Sequence, residues 1–364
     1  MRVVYSPKDP TDNAFTSIVQ YGMERNGCEI LGMDEFFTRD DDEPMPVFLN
    51  WADEIHSRNA LFGFRQLLKQ RLLIRRIVAK GGRIIYVVHN RVPHDTLSKS
   101  NLLYSLELRR SLCKAARRVV VLCDETKSVL EDQLRADGYA SIAPKIRKIP
   151  IPTYTGFYPD SAKDWRAEFG IAPDSFLFVF SGFVRPYKGI ELILDVARYF
   201  KDKGYHADFL ITGRCNSAEY RETIRSLAAG LDNVHLSLEF VKNEELGSLL
   251  GSADAVLLPL DTKSSLNSSS CYLAFSFGKT VVCPLNGTLK EFDPELVYSY
   301  EDASPASCGG LIAAAERAYL DWAGDPRAFA KKGRALKSIV DTENSAQAIG
   351  GMYRAAAEAS LDEP

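Results

Sequence analysis

Between Phe176 and Phe200 the chain reads FLFVFSGFVRPYKGIELILDVARYF, and its residue types point to anion binding. An apolar run with the profile of a buried strand ends in Ser181 and Gly182. A short loop with Arg185 and Lys188 follows, and an amphipathic helix opens near Gly189. Small residues at a strand end let a phosphate approach the backbone, and the helix N-terminus adds partial positive charge. Two fixed cations then hold a diphosphate. Alone, a glycine with one arginine and one lysine also reads as a solvated basic loop.

A second segment changes that balance. In Ser264–Leu285, SSLNSSSCYLAFSFGKTVVCPL, a polar loop leads into a short helix, then Gly278, then a strand. Ser268, Ser269 and Ser270 stand where helix N-terminal amides and hydroxyls bind an anion, or where serines merely cap the helix. Both roles use the same helix end.

In the first half, RIIYVVHNRVPHD sets His89 and Asn90 at the C-terminal end of a strand, with His94 and Asp95 in the loop beyond. Ligands of α/β sheets bind at that edge. A histidine there bonds sugar hydroxyls or passes a proton, and a nearby carboxylate accepts one from an acceptor hydroxyl. Asp95 is the expected base, with His89 beside it and Asp12 in reserve. Asn90, His94 and Asn13 are expected to meet the acceptor or the sugar. A loop-stabilising His–Asp pair is the structural alternative, and capping explains Asp12 and Asn13 as well. Asp124 and Glu125, after VVVLC, have a comparable position.

The stretch Leu61–Arg83 carries Arg65, Lys69, Arg71, Arg75, Arg76, Lys80 and Arg83 with no acidic residue, interleaved with Leu, Ile and Phe. It reads either as a cationic helix lying on an anionic bilayer or as a sheet-packing helix with a solvated basic face. His56, His206 and His235 read as structural. Trp51 ends a strand and is expected in the core.

The elements that must position these residues alternate. Short β-branched runs at Val3–Tyr5, Cys28–Met33, Val47–Trp51, Arg83–Asn90, Arg117–Asp124 and Lys145–Pro152 are separated by amphipathic helical stretches. The linker-like IPIPTYTGFYPD follows, and the pattern restarts at Phe176–Phe183, Ala207–Gly213, Asn233–Phe240, Ala255–Leu260, Thr280–Leu285 and Leu296–Tyr300. Continuous apolar strands between helices predict parallel sheets covered on both faces. The expected organisation is α/β, with a Rossmann-like acceptor-binding domain over 1–155 and a nucleotide-sugar-binding domain over 156–330. Helices over 331–364 are expected to pack back on the first domain. A cleft between the two domains is the expected ligand site.

The second half resembles the donor-binding domain of GT-B glycosyltransferases, family 4 in particular. In those proteins a G-x-x-x-x-x-K-G strand–loop–helix gives an Arg/Lys pair to the nucleotide diphosphate. Gly182, Arg185 and Lys188 match it. NVHLSLEFVKNEELGSLLGSADAVLLPL resembles the stretch that lies against the nucleobase, implying Phe240, Val241 and Lys242 on the base side, the first two mainly through backbone. AFSFGKTVVCPL resembles the family's small-residue helix, glycine and strand. One departure stands out. Family 4 members usually carry two glutamates eight residues apart, and counting back from Gly278 those positions are Leu273 and Ser265. The NSxS-type loop there resembles bacterial exopolysaccharide glycosyltransferases of β-mannosyl and glucuronosyl types, which share an HN…PH pattern.

The resemblance implies a GT-B fold, two Rossmann-like domains facing each other across a cleft. It also implies a hexosyltransferase that moves sugar from a nucleoside-diphosphate donor to a glycan or lipid-linked glycan in surface polysaccharide synthesis. No cofactor is expected, and no metal, since the Arg/Lys pair serves the diphosphate. The alternatives are a non-catalytic sugar-nucleotide-binding subunit, or another GT-B enzyme such as a sugar-nucleotide epimerase.

Composition fits. At 364 residues, 46% hydrophobic and 26% charged, the chain is globular and of two-domain length. A net charge of −3 gives no reason to expect nucleic acid as a partner. Seven cysteines without CxxC spacing read as buried thiols in a reducing compartment. MRVVYSPKDP lacks a signal-peptide core, and no run nears the ~18 apolar residues of a spanning helix. A cytoplasmic protein, peripheral on the inner membrane face, is expected.

Overall fold

The computed structural model describes residues 1–8, 14–57, 59–90, 99–159, 161–262, 267–301 and 308–362. The chain divides into two compact units. The first comprises 1–152, 263–267 and 343–364, and the second 153–262 and 268–342.

Six strands build the first unit: β1 (Arg2–Ser6), β2 (Glu29–Leu31), β3 (Met45–Asn50), β4 (Gly82–Val88), β5 (Arg118–Val121) and β6 (Ile146–Lys148). Helices α1 (Ala14–Arg25), α2 (Met33–Thr38), α3 (Ala60–Ala79), α4 (Lys99–Ala115) and α5 (Asp124–Ala136) lie between them in sequence. All pairings are parallel, in the order β2-β1-β3-β4-β5-β6. Every residue of β3 is buried, as a central parallel strand with helices on both faces requires. Val47, Phe48, Ile84, Ile85, Tyr86 and Val119–Val121 are all sealed from solvent. Each such aliphatic or aromatic side chain contributes about 1.5–3 kcal/mol by leaving water.

The second unit repeats the plan with β7 (Phe176–Ser181), β8 (Ala207–Thr212), β9 (Val234–Ser237), β10 (Ala255–Leu257), β11 (Thr280–Pro284) and β12 (Tyr298–Tyr300). Its order is β12-β11-β10-β7-β8-β9, again parallel throughout. Its helices are α6 (Trp165–Phe169), α7 (Ile190–Asp202), α8 (Ala218–Ala228), α9 (Asn243–Ser252), α10 (Ser269–Ser276), α11 (Gly309–Gly324) and α12 (Pro326–Glu343). An aromatic core built from Phe176, Phe178, Phe200 and Phe209 packs α7 and α11 against the sheet.

The C-terminal region folds as two helices, broken between Glu343 and Ala346. Asn344 leaves the helix to donate to Ile151 O (2.9 Å), and Ser345 then caps α13 (Ala346–Leu361) by accepting from Ala348 N. α12 belongs to the second unit up to residue 342, whereas α13 belongs to the first. There α13 crosses α1 at backbone distance. A Cβ on Gly22 would stand 2.0 Å from Ala346 O, and one on Gly350 2.0 Å from Gly22 C. Only glycine fits this crossing.

Both sheets have a switch point, where successive connections leave in opposite directions. In the first it lies between β1 and β3, in the second between β7 and β10. Ligands of open α/β sheets bind outside the carboxyl ends of the strands at such points.

Candidate functional site

In the second unit the loop leaving β7 lies at the switch point and carries Gly182, Arg185 and Lys188. It is stitched along the end of β8. Gly182 N donates to Thr212 O (3.1 Å) and Val184 N to Arg214 O (3.0 Å). Gly213, at φ 131°, lies against the backbone of Gly182, and a Cβ there would stand 1.8 Å from Gly182 O. Small residues are thus required where β7 and β8 end. A turn closed by Lys188 N donating to Arg185 O (2.9 Å) puts both cations just before α7. The Arg185 guanidinium lies over Phe183 and the Lys188 ammonium over Tyr187. These aromatic faces steady long side chains that otherwise lose much rotamer freedom on binding.

The α10 end is divided in its duties. Ser268 is buried, its hydroxyl accepts from Cys271 N (3.2 Å), and its own N–H donates to Thr288 Oγ1 (2.8 Å). It is therefore the cap. The Ser269 hydroxyl bonds the buried Tyr154 phenol. The N–H groups of Ser269 and Ser270 open the helix and have no acceptor within it. Of the two roles expected for the serines, capping falls to Ser268.

Of the residues expected on the base side, Phe240 is exposed while Val241 packs against the Trp165–Leu177–Leu249 cluster. Lys242 sits at the N-cap of α9. Arg214, exposed at the end of β8 beside the Gly182 loop, escaped the sequence reading because a lone arginine after a glycine is no motif.

In the first unit His89 and Asn90 follow β4. Asn50, the last residue of β3, donates from Nδ2 to Ser6 O (3.1 Å), so its Oδ1 faces His89 Nε2 at 2.9 Å. The imidazole therefore carries its proton on Nε2. The ring stacks on Trp51 at 4.0 Å and meets Phe15 edge-on at 5.2 Å. Trp51, expected in the core, is half-buried and stacks on His89 at the strand end. His89 keeps some accessible surface, yet burial lowers its pKa to about 3. A neutral ring with a bare Nδ1 suits hydrogen bonding better than proton transfer near neutral pH. Asn267, which counts with this unit, donates to His89 O (3.0 Å) and accepts from Thr126 Oγ1 (3.1 Å), bracing the strand end.

Two carboxylates missed by the sequence reading flank this group. Asp53 is buried against Arg109, whose Nη2 also donates to Asn90 O (2.8 Å). Burial opposes the Arg109 charge, but Asp53 beside it holds its pKa above the ordinary value. Glu54 accepts from Asn90 Nδ2 (3.1 Å) and bonds His56 Nε2 (3.1 Å). His56, read as structural, is therefore the Glu54 partner. Asp12, Asn13, His94 and Asp95 lie outside the described residues.

The Leu61–Arg83 stretch is α3 up to Ala79, and Arg83 belongs to β4. Gly63, Leu67, Ile74 and Ile77 face the core, while Leu61, Phe64, Leu68 and Leu72 form an exposed stripe at three- and four-residue spacing. Arg65, Lys69, Arg75 and Arg76 are exposed along it. The outward face is thus apolar and cationic together, not merely basic. Among the described residues, no helix is long and apolar enough to cross a membrane.

Comparison with known proteins bears on the second unit most directly. Residues 161–292 match the family model "Glycosyl transferases group 1". A GDP-mannose:glycolipid 4-beta-D-mannosyltransferase of Xanthomonas campestris is 29% identical over 124 residues, covering 33% of this chain and 34% of that enzyme. The match thus spans about a third of either protein. Among solved structures, Anabaena Alr3699/HepE in complex with UDP and glucose aligns over 98% of both chains, with TM-score 0.66 at 12% identity. Sucrose-phosphate synthase of Thermosynechococcus elongatus aligns over 96% of this chain and 80% of its own, with TM-score 0.64 at 17% identity. The fold is GT-B, two Rossmann-like domains.

Proposed function

We propose that this chain is a hexosyltransferase that moves a sugar from a nucleoside-diphosphate donor to a hydroxyl of a glycan or lipid-linked glycan. The observation that carries the reading is the Gly182–Lys188 loop. It stands at the switch point of the second sheet, inside the segment that matches the glycosyltransferase family model. Arg185, Lys188 and the amides of Ser269 and Ser270 stabilise the leaving diphosphate as charge develops on it. The cations supply the positive charge that a metal supplies elsewhere, so transfer proceeds without one. Phe240, Val241 and Lys242 border the base. In the first unit His89 and Asn90 present hydrogen-bonding groups to a sugar, and Asn13 and His94 belong to the same acceptor role.

A glycolipid acceptor is favoured by the name of the Xanthomonas relative and by the face of α3. An exposed Leu61–Phe64–Leu68–Leu72 stripe bordered by cations suits the surface of an anionic bilayer on its cytoplasmic side, the protein docking there peripherally in surface polysaccharide synthesis. A thermal-shift panel of GDP-, UDP-, ADP- and TDP-sugars tests the donor reading, since a ligand of the native state raises the melting temperature. Stabilisation by one nucleotide class, with nucleoside diphosphate released on turnover, is the expected result. No shift with any of them would refute it.

A further inference from the structure

We propose that Glu54 is the base that takes the proton from the acceptor hydroxyl. The assignment rests on the glycosyl-transfer reading above. It uses groups of the first unit alone.

β3 ends at Asn50, and Trp51 leaves the strand with φ 50°, a left-handed conformation rare for a bulky residue. Such strain is held in place by its surroundings and gathers at functional sites. Here Trp51 is pinned against His89, and its carbonyl accepts from Glu54 N (3.2 Å). The turn thereby holds Glu54 beside the carboxyl end of β3, at the switch point where a ligand of this sheet would lie.

The Glu54 side chain is only 19% accessible, and both its oxygens are held, Oε1 by Asn90 Nδ2 and Oε2 by His56 Nε2. A carboxylate positioned this way needs no reorganisation before it accepts a proton. The neighbouring carboxylate is not available for the task. Asp53 is buried and committed to Arg109, which removes that cation from Glu54 as well. Among the described residues the titratable groups around Glu54 are Asp53, His56 and the Arg109 bound to Asp53, with the neutral His89 on the adjoining strand end. Burial, and then Asp53, raise its pKa above the ordinary glutamate value, which strengthens it as a base.

The step balances. The acceptor oxygen bonds the anomeric carbon as the bond from that carbon to the diphosphate oxygen breaks. The electron pair leaves with the nucleoside diphosphate, and the hydroxyl proton passes to Glu54. His56, 55% accessible, stands on the other carboxylate oxygen.

The test follows nucleoside diphosphate release from GDP-mannose and UDP-glucose, with water or added glycolipid as acceptor. Turnover against pH is compared for the wild type, Glu54→Gln, Asp95→Asn and Asp12→Asn. Glu54→Gln keeps the shape and the Asn90 bond but cannot take a proton. Its kcat is expected to fall about 100-fold or more. The acid limb of the wild-type profile, where the rate falls as the base protonates, is expected to vanish, with nucleotide affinity and melting temperature unchanged. Glu54→Asp is the second variant, expected to restore the acid limb at reduced rate. Near-wild-type turnover of Glu54→Gln, or survival of its acid limb, would overturn the assignment. So would an inactive Asp95→Asn or Asp12→Asn alongside an active Glu54→Gln. A wild type that binds no nucleoside diphosphate sinks the functional reading itself, a separate outcome.

Discussion

Arg109 donates to a single oxygen of Asp53 from both Nε (3.0 Å) and Nη2 (2.7 Å), and the two side chains are 6% and 7% accessible. Removing one partner of a buried pair leaves an uncompensated charge, worth about 3–5 kcal/mol. Asp53→Ala is therefore expected to lose that much stability in urea unfolding. Replacing both residues, as Asp53→Leu with Arg109→Met, is expected to cost far less than the sum of the single changes. Additive losses would show that the pair is not coupled.

Arg185→Ala with Lys188→Ala is expected to abolish nucleotide binding while leaving the melting temperature within a degree or two. Each charge-assisted hydrogen bond removed costs about 1.5–3 kcal/mol of binding. Gly213→Ala should damage the same site by a different route. Its new Cβ, 1.8 Å from Gly182 O, must push the β7 loop aside. Calorimetric titration of both variants with the stabilising nucleotide checks this, and unaltered affinity in the double variant would remove the diphosphate from that loop.

If α3 docks on a bilayer, the protein should sediment with vesicles containing phosphatidylserine and be released by high salt. Neutralising Arg65, Lys69 and Arg75 should weaken binding by about 1 kcal/mol per cation. Leu68→Ser with Leu72→Ser should weaken it on the same vesicles at unchanged charge, because both side chains are exposed. Equal partition onto neutral vesicles would discredit the electrostatic part.

The remaining prediction concerns acid stability. Burial works to raise the Asp208 carboxyl, but hydrogen bonds from His235 and Ser175 outweigh it and leave its pKa below the ordinary aspartate value. A depressed carboxylate contributes stability that is complete above its unfolded pKa of about 3.9 and is lost as pH falls through the folded value. Asp208→Asn should therefore be less stable than wild type at neutral pH. The gap should narrow below about pH 4, as followed by urea denaturation from pH 7 to pH 3. A constant gap across that range would mean that Asp208 does not carry the acid sensitivity.

The local pattern of this chain was legible from residue types alone. Continuous β-branched runs between amphipathic helices announce parallel sheets, because a strand covered on both faces needs apolar side chains on both. The Gly182–Arg185–Lys188 spacing suggests an anion loop, since those residues lie within a few positions of one another. Ser268–Ser270 could be placed at a helix start, but their roles depended on Thr288 and Tyr154, distant in sequence. Glu54 was invisible for the same reason. Its partners come from Asn90, beyond a whole strand and helix, and from a turn at Trp51 that no local motif encodes. His89 could be located by its strand end, but its pKa is set by burial beneath its spatial neighbours, a packing no local motif encodes. Periodicity is a property of neighbours along the chain, so sequence determines the elements. Desolvation and hydrogen-bond partnership belong to neighbours in space, so only the tertiary structure decided that Asp53 is neutralised by Arg109 while Glu54 is held by Asn90 and His56.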